Sequence, residues 1–160
     1  MNEGSAVVSE LDLLRWKSKF EEKDRGKKIL IIDEEFSELY ISECAEIFSV
    51  GRELGYTIER ASGGREGVLA LFFERPKMVF MNPVFNGEVQ WRLLENIKKT
   101  ASKIPLVLMF ERKYRAEIID DPRSALAMGF LYKPVAGSPL KQMMSSLPNP
   151  DRPLYNPAWQ

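Results

Sequence analysis

Four polar residues that could take part in chemistry lie at the ends of short apolar runs. Asp33 and Glu34 follow the run KILII, Asn82 follows KMVFM, and Lys133 follows GFLY. A further run, PLVLM, leads into Phe110. Two carboxylates, an amide oxygen and a lysine brought together could bind a magnesium ion or an anion. The same groups could also form an ion-pair network without any ligand.

These runs belong to a regular alternation of strand and helix patterns. Continuous apolar stretches with β-branched residues are typical of strands that are buried on both faces. They lie at residues 28–33, 77–81, 105–110 and 129–132, and a further strand is predicted at 56–61 (YTIERA). Helical spacing predicts helices at 35–54, 64–74, 88–102 and 112–120, and a last helix that Ser138 caps. Five βα units predict a doubly wound parallel sheet with helices on both faces, which is a three-layer α/β sandwich.

The helix patterns also predict which side chains face the core. In the helix at 64–74, the spacing turns Val68, Leu71 and Phe72 inward. The core face predicted for the last helix consists of Leu140, Met143, Met144 and Leu147. The carboxyl ends of parallel strands share one edge of the sheet, so the polar residues that follow the strands are expected to meet there.

Four motifs, in this order along residues 28–147, carry a resemblance to a known family: ILIIDEE, MVFMNP, IPLVLMF and GFLYKP. They resemble the receiver domain of bacterial response regulators, of the chemotaxis-regulator type. The resemblance implies a flavodoxin-like sheet with strand order 2-1-3-4-5. In that family two adjacent acidic residues bind magnesium, and a histidine kinase phosphorylates an aspartate that ends the third strand. A hydroxyl residue after the fourth strand and a lysine after the fifth then bind the phosphoryl group.

The resemblance places Asp33 and Glu34 at the acidic pair and Lys133 at the lysine. It places Asn82 at the phospho-acceptor and Phe110 at the hydroxyl residue. A neutral amide cannot form an acyl phosphate, and a phenyl ring has no hydroxyl group. The residues therefore point to a degenerate receiver, or pseudo-receiver, with no catalytic residue and with these five positions as the remains of a phospho-acceptor pocket.

The remaining features of the pocket are interpreted in the same way. Phe130 occupies the position of the family's switch aromatic, three residues before Lys133, but its hydroxyl partner is missing. Asp33 and Glu34 are either weak magnesium ligands or caps of the following helix. No cofactor is expected, and magnesium binding is expected to be weak or absent. Lys133 is expected to form a structural ion pair with one of the two acids.

Composition excludes several classes of function. The chain has no histidine, so no imidazole can act as a general base, as a metal ligand or as a phosphoryl carrier. Its single cysteine, Cys44, allows neither an intramolecular disulfide nor a thiolate zinc site. With 23 basic and 23 acidic residues, the net charge gives no reason to expect nucleic-acid binding. No apolar stretch approaches the roughly 20 residues that span a membrane, and a cytoplasmic location is expected.

The two ends of the chain differ from the domain between them. Residues 1–27 predict an amphipathic helix and a charged linker, and residues 148–160 form a proline-rich tail. The apolar stripe of the N-terminal helix, which includes Leu11 and Leu14, either folds back on its own domain or forms a dimer. A second expected contact surface is the face around Phe130, Tyr132 and Met143.

The function predicted from these observations is a phosphorylation-independent, receiver-like protein-interaction module in bacterial two-component-type signalling. One alternative is a sensor that binds magnesium or a small molecule in the degenerate pocket. Another, of a different class, is a small flavodoxin-like enzyme, although the sequence offers no evident nucleophile.

Overall fold

The computed structural model describes residues 28–33 and 38–145, with side chains described at 28–33 and 44–145. The N-terminal extension at 1–27, the tail at 148–160, Glu34 and Leu147 therefore lie outside the described residues. No helix in the described part of the chain is both long enough and apolar enough to cross a membrane.

Five parallel strands form the central sheet. In the described chain the strands are β1 (Lys28–Asp33), β2 (Thr57–Ser62), β3 (Met78–Met81), β4 (Val84–Phe85), β5 (Glu88–Val89), β6 (Leu106–Phe110) and β7 (Gly129–Tyr132). The sheet has the order β2-β1-β3-β6-β7, while β4 and β5 form a separate hairpin. The predicted doubly wound fold and its strand order 2-1-3-4-5, counted over the five long strands, are confirmed.

Helices cover both faces of the sheet. They are α1 (Glu38–Glu53), α2 (Gly64–Glu74), α3 (Trp91–Thr100), α4 (Arg115–Ile119) and α5 (Gly137–Ser145), with short 3₁₀ turns at Arg112–Tyr114 and Pro122–Leu126. One core cluster contains buried residues of α2, α3 and α4, and the other contains buried residues of α1 and α5. The two clusters lie on opposite sides of the sheet, so the structure is the predicted three-layer sandwich.

The packing of α2 confirms that Leu71 and Val68 face the core but corrects the prediction for Phe72. Phe72 is 61% exposed, whereas the buried stripe runs through Gly67, Ala70, Leu71 and Glu74. A Cβ atom on Gly67 would lie 2.7 Å from Ile32 Cδ1, so the missing side chain permits a close approach to the sheet. The two small residues, Gly67 and Ala70, therefore bring the helix against β1 and turn Phe72 away from the core.

A hairpin precedes α3, which begins at Trp91 rather than at residue 88. Val84 pairs with Val89, and the two central residues, Asn86 and Gly87, have φ angles of 52° and 79°. Positive φ at both central residues is typical of a type I′ turn, and the dipeptide Asn-Gly is its strongest sequence signal. The last helix also differs slightly, because α5 begins at Gly137, one residue before the predicted cap.

Candidate functional site

Asp33 is the centre of the candidate site. It ends β1, where every residue is buried, and only 4% of Asp33 is exposed. Its Oδ1 accepts a hydrogen bond of 3.0 Å from Asn82 Nδ2, and its Oδ2 accepts one of 3.0 Å from Lys133 Nζ. The structure thus brings together three predicted site residues, from the ends of three strands.

Lys133 forms a buried ion pair with Asp33. Both side chains are only 6% exposed. The position of the lysine is fixed by its backbone, because the Lys133 N–H donates to the carbonyl oxygen of Phe110 at 2.9 Å. Removing two charges from water is costly unless each finds a close partner, and here each charge offsets the other. The predicted pairing of Lys133 with one of the two acids is seen in this geometry.

The side-chain amide of Asn82 connects two parts of the molecule. Its Nδ2 donates to Asp33, and its Oδ1 accepts a hydrogen bond of 3.0 Å from the backbone N–H of Val84. The Asn82 backbone N–H also donates to the carbonyl oxygen of Ile32 at 2.9 Å. One amide therefore supplies Asp33 with a second donor and anchors the first residue of the hairpin.

Phe110 belongs to a cluster of three aromatic rings on one face of the sheet. It is fully buried, and its ring makes edge contacts with Phe130 at 6.1 Å and with Tyr132 at 5.9 Å between centroids. Arg112 covers the outer ring, with its guanidinium carbon 4.0 Å from the Tyr132 centroid. At the position that resembles the family's hydroxyl residue, the structure thus has a phenyl ring that is packed in the core.

The contact face predicted around Phe130, Tyr132 and Met143 needs a correction. Phe130 is 3% exposed and Met143 is fully buried, and the two belong to the core clusters on opposite sides of the sheet. Successive side chains of a strand point to opposite faces, so Phe130 joins the Phe110 side while α5 packs on the other. Only Tyr132 is partly exposed. Two of the three residues therefore do not form a surface in this conformation.

The described residues fit a magnesium ion poorly. Asp33 supplies one carboxylate, which Lys133 already neutralises, and the carbonyl oxygen of Asn82 is bonded to Val84. Magnesium favours carboxylate oxygens and keeps strict octahedral geometry. Across residues 28–33 and 44–145, no three Asp, Glu or Cys side chains group as metal ligands.

A second buried ion pair, which the sequence reasoning missed, lies at the opposite end of the sheet. Lys28 Nζ is 3.1 Å from Glu74 Oε1 and 3.8 Å from Glu59 Oε1, and both Lys28 and Glu74 are 3% exposed. The sequence signal that could have predicted this pair is Glu74, which lies on the same i, i+3, i+4, i+7 helix face as Gly67 and Ala70. This pair joins the first residue of β1 to the last residue of α2.

Three lysines, Lys98, Lys99 and Lys103, form a basic cluster at the end of α3, and they differ in burial. Lys98 Nζ donates to the carbonyl oxygens of Ser102 and Ile104, each at 3.1 Å, and burial lowers the pKa of Lys98. Lys99 and Lys103 are exposed. Lys98 therefore closes the end of the helix, while the other two cations face outward.

No protein-family model matches the sequence, and no curated protein matches it. Solved structures do share its fold. The Mg²⁺–BeF complex of the response regulator TrrA from Thermotoga maritima is 24% identical, with a TM-score of 0.59 over 76% of this chain and 98% of that chain. The chemotaxis response regulator CheY4 of Vibrio cholerae is 16% identical, with a TM-score of 0.58 over 76% of this chain and 98% of that chain.

The structure of an adenylate cyclase from Rhodopirellula baltica is also similar. It is 12% identical, with a TM-score of 0.59 over 78% of this chain and 89% of that chain. These identities are low, and the similar structures include both response regulators and an adenylate cyclase, so the similarity concerns architecture. The chain has the fold of the response regulator receiver domains.

Proposed function

We propose that this chain is a receiver-like protein-interaction module of bacterial two-component-type signalling that acts without phosphorylation and is not an enzyme. The observation that carries the proposal is the arrangement of Asn82, Asp33 and Lys133. An amide stands where the resemblance implies a phospho-acceptor, and it is bonded to the carboxylate that the resemblance assigns to magnesium. The lysine implied for the phosphoryl group is bonded to the same carboxylate.

The chemistry of these groups supports the proposal. Phosphoryl transfer to a side chain needs a nucleophilic atom that can reach phosphorus, such as a carboxylate oxygen, and an amide is a poor nucleophile because its nitrogen lone pair is delocalised. Asp33 is a poor substitute acceptor, because both of its oxygens accept hydrogen bonds and its side chain is 6% exposed. The described part of the pocket is thus already neutral and closed by its own residues.

The aromatic cluster supports the same interpretation. A ligand shifts a conformational equilibrium only if it has different affinities for the two states. Phe110 offers no hydroxyl group to a phosphoryl oxygen, and it packs against Phe130 instead. The differential affinity must then come from another ligand, which we propose to be a protein partner or a second copy of the chain. No resident cofactor is required, and the expected compartment is the cytoplasm.

Intact-mass spectrometry after incubation with acetyl phosphate and magnesium tests the proposal. We expect no phosphoryl adduct on the natural chain. The Asn82→Asp variant alone tests whether the carboxylate suffices, and the double variant Asn82→Asp with Phe110→Thr is the matched positive control. A phosphoryl adduct on the natural chain would refute the proposal. Calorimetry with magnesium and nucleotides adds a second test: saturable binding that Asp33→Ala abolishes would favour a small-molecule sensor instead.

A further inference from the structure

A long groove separates α2 from α3 on the surface of the domain. It consists of two cavities, of about 350 and 430 Å³, which share Thr100. Phe85 of the hairpin lines the first cavity, and Phe72 lines the second. Phe72, at 61% exposed, is the more exposed of the two large apolar side chains that lie at the surface of the described chain. An exposed aromatic residue beside an apolar groove is typical of a surface that another segment covers.

The charged residues of the groove all have the same sign. Arg92 and Lys99 line the first cavity, Arg75 and Lys103 line the second, and no acidic side chain lines either of them. Such a rim attracts an acidic partner and disfavours a basic one. The complementary occupant is an amphipathic segment that has apolar residues on one face and carboxylates beside them.

The sequence of this chain contains one such segment. Residues 1–14 (MNEGSAVVSELDLL) carry Glu3, Glu10 and Asp12 and no lysine or arginine. Leu11 and Leu14 are spaced to share one helical face. Both the charge and the apolar pattern therefore complement the groove.

The described chain also begins close to the groove. The side chain of Lys28, the first described residue, contacts Glu74, and the next residue, Arg75, lines the second cavity. Residues 15–27 could span up to about 45 Å when extended, at roughly 3.5 Å per residue. A ten-residue helix such as α3 is about 15 Å long. The connection is therefore long enough for residues 1–14 to reach any part of the groove in the same chain.

We propose that the acidic segment at residues 1–14 docks into the basic groove between α2 and α3 of its own chain. The inference does not depend on the proposed function, because it uses neither the Asp33 site nor a partner protein. It assigns an intramolecular role to the N-terminal segment, one of the two roles that the sequence pattern allows.

Disulfide trapping in the full-length chain tests the docking. One variant carries Ser9→Cys and Thr100→Cys, and a matched control carries Ser9→Cys and Lys141→Cys, with the second thiol exposed on α5 across the sheet. Cys44 is buried and does not compete. Because docking raises the effective concentration of the two thiols, we expect the first pair to form an intramolecular disulfide about tenfold faster than the control or more.

Charge reversal tests the recognition itself. Adding Lys99→Glu and Lys103→Glu to the trapping variant should slow the cross-link to the control rate, and adding Glu10→Lys and Asp12→Lys as well should restore it. Lys99 and Lys103 are exposed, so the fold should persist, which circular dichroism checks. Equal rates for the two cysteine pairs would overturn the proposal, as would insensitivity to charge reversal. A covalent dimer as the main product would overturn it too, and would assign the groove to a second copy.

Discussion

The pairing of Lys133 with Asp33 leads to a quantitative prediction about stability. The substitution Lys133→Met removes an ammonium group 3.0 Å from Asp33 Oδ2 and leaves a carboxylate that is 6% exposed. Breaking one partner of a buried ion pair costs about 3–5 kcal/mol, because the remaining charge is uncompensated. The remaining bond from Asn82 offsets part of this, so we expect a loss of about 3 kcal/mol. With a urea dependence of about 2 kcal/mol/M, the midpoint should fall by roughly 1.5 M.

A second substitution shows whether the charge is the cause. Asp33→Asn alone strands the lysine cation, and we expect a loss of about 2–3 kcal/mol. In the double variant neither side chain of this pair is charged, so its loss should be smaller than the sum of the two single losses by about 2 kcal/mol. Urea unfolding followed by circular dichroism at pH 7 measures all four proteins. Losses that add to within about 0.5 kcal/mol would refute the idea that the two charges stabilise each other.

Three further predictions concern other parts of the domain. Phe110→Ala should cost about 3–5 kcal/mol in urea unfolding, because it empties a fully buried site between two rings, and a loss below about 1 kcal/mol would contradict this. Gly87→Ala should speed amide exchange in the hairpin, since φ of 79° strains a residue with a Cβ atom; unchanged exchange would argue against the turn. The Arg123 side chain and backbone N–H lower the pKa of Asp121, so the charged form favours the fold and this contribution is lost as pH falls through the lowered pKa. An NMR titration of the Arg123 amide should therefore have a midpoint below the value of about 3.9 for an unperturbed aspartate, and a higher midpoint would contradict the assignment.

The sheet and the meeting of the polar residues could be predicted because both follow from local patterns. All six residues of β1 are buried, which is what a continuous apolar run predicts for a strand covered on both faces. The parallel order then places the strand ends at one edge, so Asp33, Asn82 and Lys133 had to be neighbours. The ion pair of Lys133 with an acid could be predicted, but the hydrogen bond from Asn82 to the same carboxylate could not, because it depends on side-chain distances that no pattern encodes.

The exposure of Phe72 on α2 could not be predicted from apolar spacing alone, although that spacing correctly predicted that Leu71 is buried. A pattern that counts large side chains selects Phe72, whereas the close approach at Gly67 selects the opposite side. The burial of Glu74 follows from the same rotation and is compensated by Lys28, which is 46 positions earlier in the sequence. The hairpin is a different case, because its Asn86-Gly87 dipeptide is a local turn signal that can be recognised without any tertiary contact.

The Asn82 side chain both donates and accepts a hydrogen bond, and this limits which residues could replace it during evolution. A carboxylate there could still accept from the Val84 N–H, but it would lose the donor to Asp33 and place a like charge beside it. A single substitution of Asn82 by aspartate is therefore penalised before any new chemistry is gained. An aspartate at this position would need coordinated substitutions around Asp33, so the effect of the change depends on its neighbours and selection disfavours the single step.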